Sequence, residues 1–176
     1  QLEDGRAEVS FEQSSLLGEG GFAGVYRGAY RFASEPVAVA FKLFHASKSV
    51  TPKLRKLIDK EVQIGAKLRH NNLVNVYGML EMDAGLAMIM ELANSGSLAS
   101  ILQSEAASGR PWQQRIDWLL GVAEGMAYLH APSADTPEGI VHRDLKAANV
   151  LLNDQDGHSV AKVCDFGLAQ TFRTIR

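Results

Sequence analysis

At 176 residues the chain is long enough for one domain or two small lobes, and 46% apolar with 22% charged residues is the composition of an ordinary soluble globular protein. A formal net charge of −2 leaves no nucleic-acid footprint, so any acidic ligand must be held by local groups rather than by a global field. One cysteine, Cys164, excludes an internal disulfide and agrees with a reducing compartment, and no membrane-length apolar run or signal peptide is visible.

The first part reads as strands. "FEQSSLLG" (11–18), "GVYRGAYR" (24–31) and "PVAVAFKLF" (36–44) are rich in Val, Tyr, Phe and Leu and are bounded by Gly, Ser or Pro. Pro52 then opens "PKLRKLIDKEVQIGAKLRH", where Leu54, Leu57, Ile58, Ile64 and Leu68 recur at helical steps. Two short strands follow at 73–80 and 86–91, joined by Asp83-Ala84-Gly85. The polar "ANSGS" reads as a linker. Ser97 is a cap for "LASILQSEA", and Pro111 starts a long helix with Ile116, Leu119, Leu120, Ala123, Met126, Ala127 and Leu129 along one face. "NVLLNDQDGHSVAKVCDFG" reads as a hairpin turning near Asp156-Gly157. The layout predicts a small sheet with one helix, a hinge, and a helical lobe, and crevices between lobes are where ligand sites tend to lie.

Three stretches carry chemistry. In "GEGGFAGVYRG", Gly18, Gly20 and Gly21 let backbone N–H groups approach a phosphate without a Cβ in the way. Gly18, Gly20 and Ala23 also satisfy the dinucleotide pattern of an oxidoreductase, but that needs a helix next, whereas Val25-Tyr26-Arg27-Gly28 is a good strand. Lys42 ends an apolar strand, and Glu61, three positions from both Ile58 and Ile64, lies on the buried side of its helix and wants a cation. "GIVHRDLKAANVLLN" (139–153) sets His142, Arg143, Asp144, Lys146 and Asn149 between apolar anchors, with Asp165 following in "CDFG". Asn149 and Asp165 offer the hard oxygens that Mg²⁺ takes in small number. Asp144 is then left to orient a hydroxyl and accept its proton, and Lys146 to meet the charge of a transferring group.

In this order "GEGGFAGVYRG", "VAFK", "KEVQIGAKLRH", "HRDLKAAN" and "DFG" resemble the protein-kinase motif set from about residue 11 to the last residues. The resemblance implies an α+β, protein-kinase-like bilobal fold. Its N-lobe (1–91, after a short segment 1–10) would be an antiparallel five-stranded sheet with one helix. A hinge at 92–96 and a truncated, mainly helical C-lobe at 97–176 would follow. It implies ATP and Mg²⁺ as cofactors, with Lys42 on the α/β-phosphates held by Glu61, Asp144 as base, and Asn149 and Asp165 as metal ligands. Leu17 and the loop glycines would cover the nucleotide, Val25 and Ala40 would roof the adenine, and Leu151 would form its floor. Met90 would be the gatekeeper, and backbone groups of Glu91 and Ala93 would bond the adenine edge. Val76, His142 and Phe166 would belong to an internal packing column. "PWQQRIDWLLGVAEGMAYLH" and "IVHRDLKAANVLLN" further resemble the tyrosine-kinase-like and receptor-like kinases, and Lys146 favours Ser/Thr substrates.

Departures from the pattern set further expectations. Ala23 stands where the third loop glycine belongs, at a small cost. Gly65 stands where a bulky apolar residue is usual; in a helix interior it would cost about 1 kcal/mol against alanine and hold the Glu61–Lys42 pair loosely. The chain stops nine residues after Gly167 and begins with Gln1, as a piece of a longer chain would. Ile116, Leu119, Leu120, Met126 and Leu129 are then expected to lose cover unless a partner or missing chain supplies it. Arg143 resembles an arginine that pairs with a phosphorylated loop, with Thr171 and Thr174 as candidate acceptors and the more usual position beyond residue 176. Cys164 reads as a buried thiol. The expected partners are a nucleotide and a protein substrate, with no nucleic acid and no membrane contact from this segment. The expected location is cytoplasmic, as part of a larger protein that a membrane segment elsewhere in the parent chain could anchor. The rival is a truncated, non-catalytic kinase homologue that binds nucleotide or a protein.

Overall fold

The computed structural model describes residues 9–21, 23–31, 35–45, 51–82, 85–104, 109–134, 136–155 and 157–172. These fall into two compact units, one drawn from 1–62 with 75–92 and the other from 63–74 with 93–176.

The first unit holds a five-stranded antiparallel sheet in the order β1-β2-β3-β5-β4. Its strands are β1 (Val9–Glu19), β2 (Ala23–Arg31), β3 (Pro36–His45), β4 (Val76–Met82) and β5 (Gly85–Glu91). The run "VAFKLF" (39–44) alternates Val39, Phe41 and Leu43 against Ala40, Lys42 and Phe44, and both faces are covered, which is why β3 lacks a polar side. One face packs with Tyr30, Ala87 and Ile89. The other packs Phe44 with Ala23, Val76, Leu86, Met88 and Ile58 of helix α1 (Pro52–Gly65). The Thr51 hydroxyl accepts from the Leu54 N–H at 3.2 Å, so α1 starts with a capping threonine and a proline at its first position.

Helix α1 ends at Gly65, five residues before the end of the periodic stretch. Gly65 is a weak helix former, and after it Lys67 and Leu68 donate to the carbonyls of Ile64 and Gly65, each at 3.2 Å, tightening the last turn. Leu68 then turns into a core with Leu73, Leu129, Ile140 and Val163. Gly65 is therefore terminal rather than interior, and the penalty expected of an interior glycine does not arise.

The second unit is built on helices α2 (Leu98–Gln103) and α3 (Trp112–His130), the pair β6 (Ile140–Val141) with β9 (Gln170–Thr171), and the hairpin β7 (Val150–Gln155) with β8 (His158–Val163). Gly157, at φ 81°, supplies the left-handed turn of that hairpin. Ser97 caps α2, its hydroxyl accepting from the Ser100 N–H. The polar linker is pinned rather than loose. Ser95 N–H donates to Leu152 O at 3.0 Å and Leu152 N–H to Gly96 O at 2.8 Å. The Asn94 amide donates to Asp154 O at 2.9 Å and accepts from the Asp154 N–H at 2.8 Å.

The phase of α3 differs from the expected one. Its buried stripe is Trp118, Gly121, Gly125 and Leu129. Of the five residues expected to lose cover, Leu119, Leu120 and Ile116 do so, at 58%, 57% and 40% exposed, whereas Met126 is partly buried and Leu129 fully so. The helix is apolar on several sides, so periodicity could not choose among them. The two glycines chose, because a Cβ on Gly125 would lie 2.9 Å from the Asn72 carbonyl oxygen and one on Gly121 2.5 Å from the Asn72 amide nitrogen. No helix among the described residues is long and apolar enough to cross a membrane.

Candidate active site

In the first unit the glycine-rich turn leads into strand β2, not a helix, which removes the dinucleotide reading. Gly18 pairs with Val25 and Glu19 with Gly24, and the Gly20 N–H donates to Ala23 O at 2.8 Å. Space is open around Gly18 and Gly21. The methyl of Ala23, 8% exposed, packs with Phe44 and Ile58, so alanine at the third glycine position is absorbed by the core. Register places Val25 opposite Lys42, Ala40 opposite Met90, and Met90 opposite Val76, which brings these side chains to one face of the sheet. Leu17 is exposed at the edge. The Glu91 carboxylate accepts from the Asn75 amide at 2.8 Å, and its N–H donates to Asn75 O.

Lys42 Nζ lies 2.6 Å from Glu61 Oε1, with only 20% and 8% of the two side chains exposed. Glu61 sits where helical phase put it. The pair that Gly65 was expected to loosen is formed.

In the second unit the buried His142 organises the loop after β6. Its Nε2 lies 3.0 Å from Cys164 O, and its Nδ1 accepts from the Asp144 N–H at 3.3 Å, so the tautomer protonated at Nε2 satisfies both. Phe166 stands edge-on to the imidazole, centroids 5.7 Å apart. Val76 belongs to the core of the first unit. A 3-10 turn, Ala147–Asn149, buries Asn149, whose Nδ2 donates to Asp144 O and Asp144 Oδ2, both at 2.9 Å. Lys146 Nζ donates to the same Oδ2 at 2.8 Å. The Lys146 ammonium, and after it the Asn149 amide, hold the Asp144 carboxyl below its ordinary range against partial desolvation. Lys146 is raised in turn by its bond to Asp144, with the charges of Asp144 and Asp165 adding to it.

The Cys164 N–H donates to Asn149 O at 2.9 Å, tying the segment before Asp165 to the 3-10 turn. Cys164 is partly rather than fully buried. Arg143 and Asp165 both have φ 67° and are the only non-glycine residues described with positive φ. Such a backbone costs on the order of 1–3 kcal/mol per residue and concentrates at functional sites. The Arg143 Nε–H donates to Leu168 O at 2.7 Å. Thr171 pairs with Ile140 between β6 and β9, and Thr174 lies outside the described residues. Leu151 pairs with Lys162 and bridges to Ser97; Ala93 precedes the pinned linker.

Sequence reasoning passed over two supports. Asn72 is buried and donates from Nδ2 to Ala161 O at 3.0 Å, and nothing local distinguishes it. Arg55 bonds Asp59 and Glu81; the spacing to Asp59 was legible, the bond to Glu81 was not.

Residues 11–175 match the family model described as "Protein kinase domain". The chain belongs to the protein kinase family. Over 92% of its length it is 35% identical to a probable receptor-like protein kinase of Arabidopsis thaliana, of which it covers 18%. Over 96% it is 33% identical to the receptor-like protein kinase FERONIA of the same plant, again covering 18%. Over 94% it is 37% identical to the L-type lectin-domain containing receptor kinase SIT2 of Oryza sativa subsp. japonica, covering 23%. This kinase domain thus spans about a fifth of the length of the curated relatives it matches. Kinases of this family act with ATP and Mg²⁺.

Proposed function

We propose that this kinase domain transfers the γ-phosphate of ATP to serine or threonine hydroxyls of proteins. The observation that carries the reading is the Asp144 carboxylate, held in place by Lys146 and Asn149 and preorganised by His142. A carboxyl held low is a weak base, so Asp144 chiefly orients the hydroxyl. It accepts the proton as the hydroxyl oxygen bonds to the γ-phosphorus and the bond to the bridging oxygen breaks. Lys146 lies against Asp144 and meets charge on the transferring phosphoryl group.

In the first unit Lys42, oriented by Glu61, serves the α/β-phosphates, and Gly18, Gly20 and Gly21 offer backbone N–H groups. Leu17, Val25, Ala40 and Met90 contact the base, with backbone groups of Glu91. In the second unit, taken by itself, Ala93 and Leu151 would offer an apolar surface to a nucleotide base. Asn149 spends its Nδ2 on Asp144, so its Oδ1 is the limb left for a hard cation, and with the Asp165 carboxylate it makes the small oxygen set that suits Mg²⁺. These two residues would hold the ion, which when bound neutralises charge on the phosphates.

The relatives' names include "receptor-like", which supports a cytoplasmic kinase domain within a longer membrane-anchored protein.

The test is phosphotransfer from labelled ATP to Ser- and Thr-containing peptides by the full-length protein and its Asp144→Asn variant. At least a 100-fold loss of turnover is expected, at the lower end of what a positioned acid–base group contributes. Unchanged turnover overturns the reading. Nucleotide binding without transfer by the unmodified protein makes the domain a binding module instead.

A further inference from the structure

Helix α1 is fastened to the sheet by two ion pairs, and the placement of the second is informative. Arg55 Nη1 donates to Glu81 Oε1 on β4 at 2.8 Å, and its Nε–H donates to Asp59 Oδ1, one turn on, at 3.1 Å. Glu61, six residues on from Arg55, holds Lys42 on β3. Between them Ile58, 2% exposed, points into the core. At about 100° per residue, Arg55 and Glu61 flank Ile58 by roughly 60° on either side, about 9 Å apart along the axis. The strands they reach, β3 and β4, lie on opposite sides of β5, roughly 10 Å apart. One polar tie lets a helix roll about its apolar ridge. Two ties, on either flank and on different strands, oppose rolling in both directions. The contact with Asp59 keeps the guanidinium from swinging away.

We propose that Arg55 is a positioning residue: through Glu81 it fixes the rotation of α1 and so holds Glu61 against Lys42. The role assigned to Lys42 rests on the proposed kinase activity, but the geometry does not. Arg55 is partly and Glu81 largely exposed, with 42% and 75% of their side chains accessible, so the bias is small. An exposed pair shifts such an equilibrium about two- to five-fold.

The test reads the Lys42 amine directly, in the full-length protein without nucleotide. Its labelling by a small amine-reactive reagent is followed by mass spectrometry in Arg55→Met, Glu81→Met and the double variant, with Lys56→Glu as an exposed-charge control. Labelling of Lys42 is expected to rise about two- to five-fold in each single variant and no further in the double, because both remove the same tie. Lys162, 7% exposed, reports general opening and should keep its slow rate. Unchanged Lys42 labelling overturns the proposal, as do additive effects or a parallel rise at Lys162. Labelling requires no phosphotransfer, so an inactive wild-type protein would sink the proposed function and leave this result standing.

Discussion

Lys42 and Glu61 are coupled tightly enough that neither can be judged alone. Removing the amine leaves a carboxylate 6% exposed without its closest cation, a change that costs about 3–5 kcal/mol for a well-buried pair. Lys42→Met is therefore expected to lower the melting temperature and to abolish phosphotransfer. Adding Glu61→Leu should restore much of the melting temperature and none of the activity, since a hydrophobic pair can replace a buried ion pair in stability but not in chemistry. Calorimetry beside a turnover assay checks both halves.

The other residue-scale prediction concerns Asp144. Its carboxyl is held low in the folded protein, so whatever stability its ionisation contributes is complete above the ordinary carboxylate value. It is lost only as pH falls through the lowered one. Lys146→Met removes the main cause of that depression, and the acid limb of the turnover–pH profile should move to higher pH. A limb that stays in place would mean that another group sets it.

At the scale of elements, the seat of α3 on Asn72 is the most sensitive contact. Gly125→Ala sets a methyl against the Asn72 backbone, so the helix itself must shift, with about 1–3 kcal/mol of overpacking. Gly121→Ala meets the movable Asn72 amide, and the cost is loss of its bond to Ala161 O. Denaturant midpoints should fall in both, and Asn72→Ala in the Gly121→Ala background should add little. These contacts also mark where sequence reading failed. Strands β1 to β5 were legible from their Val, Tyr, Phe and Leu content and the turn residues that bound them, and the burial of Glu61 was legible from helical phase. The length of α1 was missed because the apolar period runs past Gly65 although the helix stops there. The phase of α3 was missed because its packing face is set by two glycines, which carry no hydrophobic signal. The loop around Asp144 was legible as chemistry, but the φ of 67° at Arg143 and Asp165 was not, since neither residue type advertises a left-handed backbone.

Across the whole molecule, Trp112, Leu119 and Leu120 are more than half exposed on α3, an apolar patch of a kind that favours association. Leu119→Glu with Leu120→Glu should reduce concentration-dependent light scattering and leave the melting temperature nearly unchanged, because exposed side chains contribute little to the fold. A large fall in melting temperature would show that the two leucines are buried in solution. The pinned segment from Asn94 to Ser97 has a different kind of consequence. It is fastened to β7 by two backbone hydrogen bonds at Leu152, an isolated bridge at Leu151 and the Asn94 amide at Asp154. Anyone recombining this domain with a homologue should therefore treat residues 94–97 and 151–154 as one inherited block. A crossover placed between them parts two strips of backbone that were matched to each other.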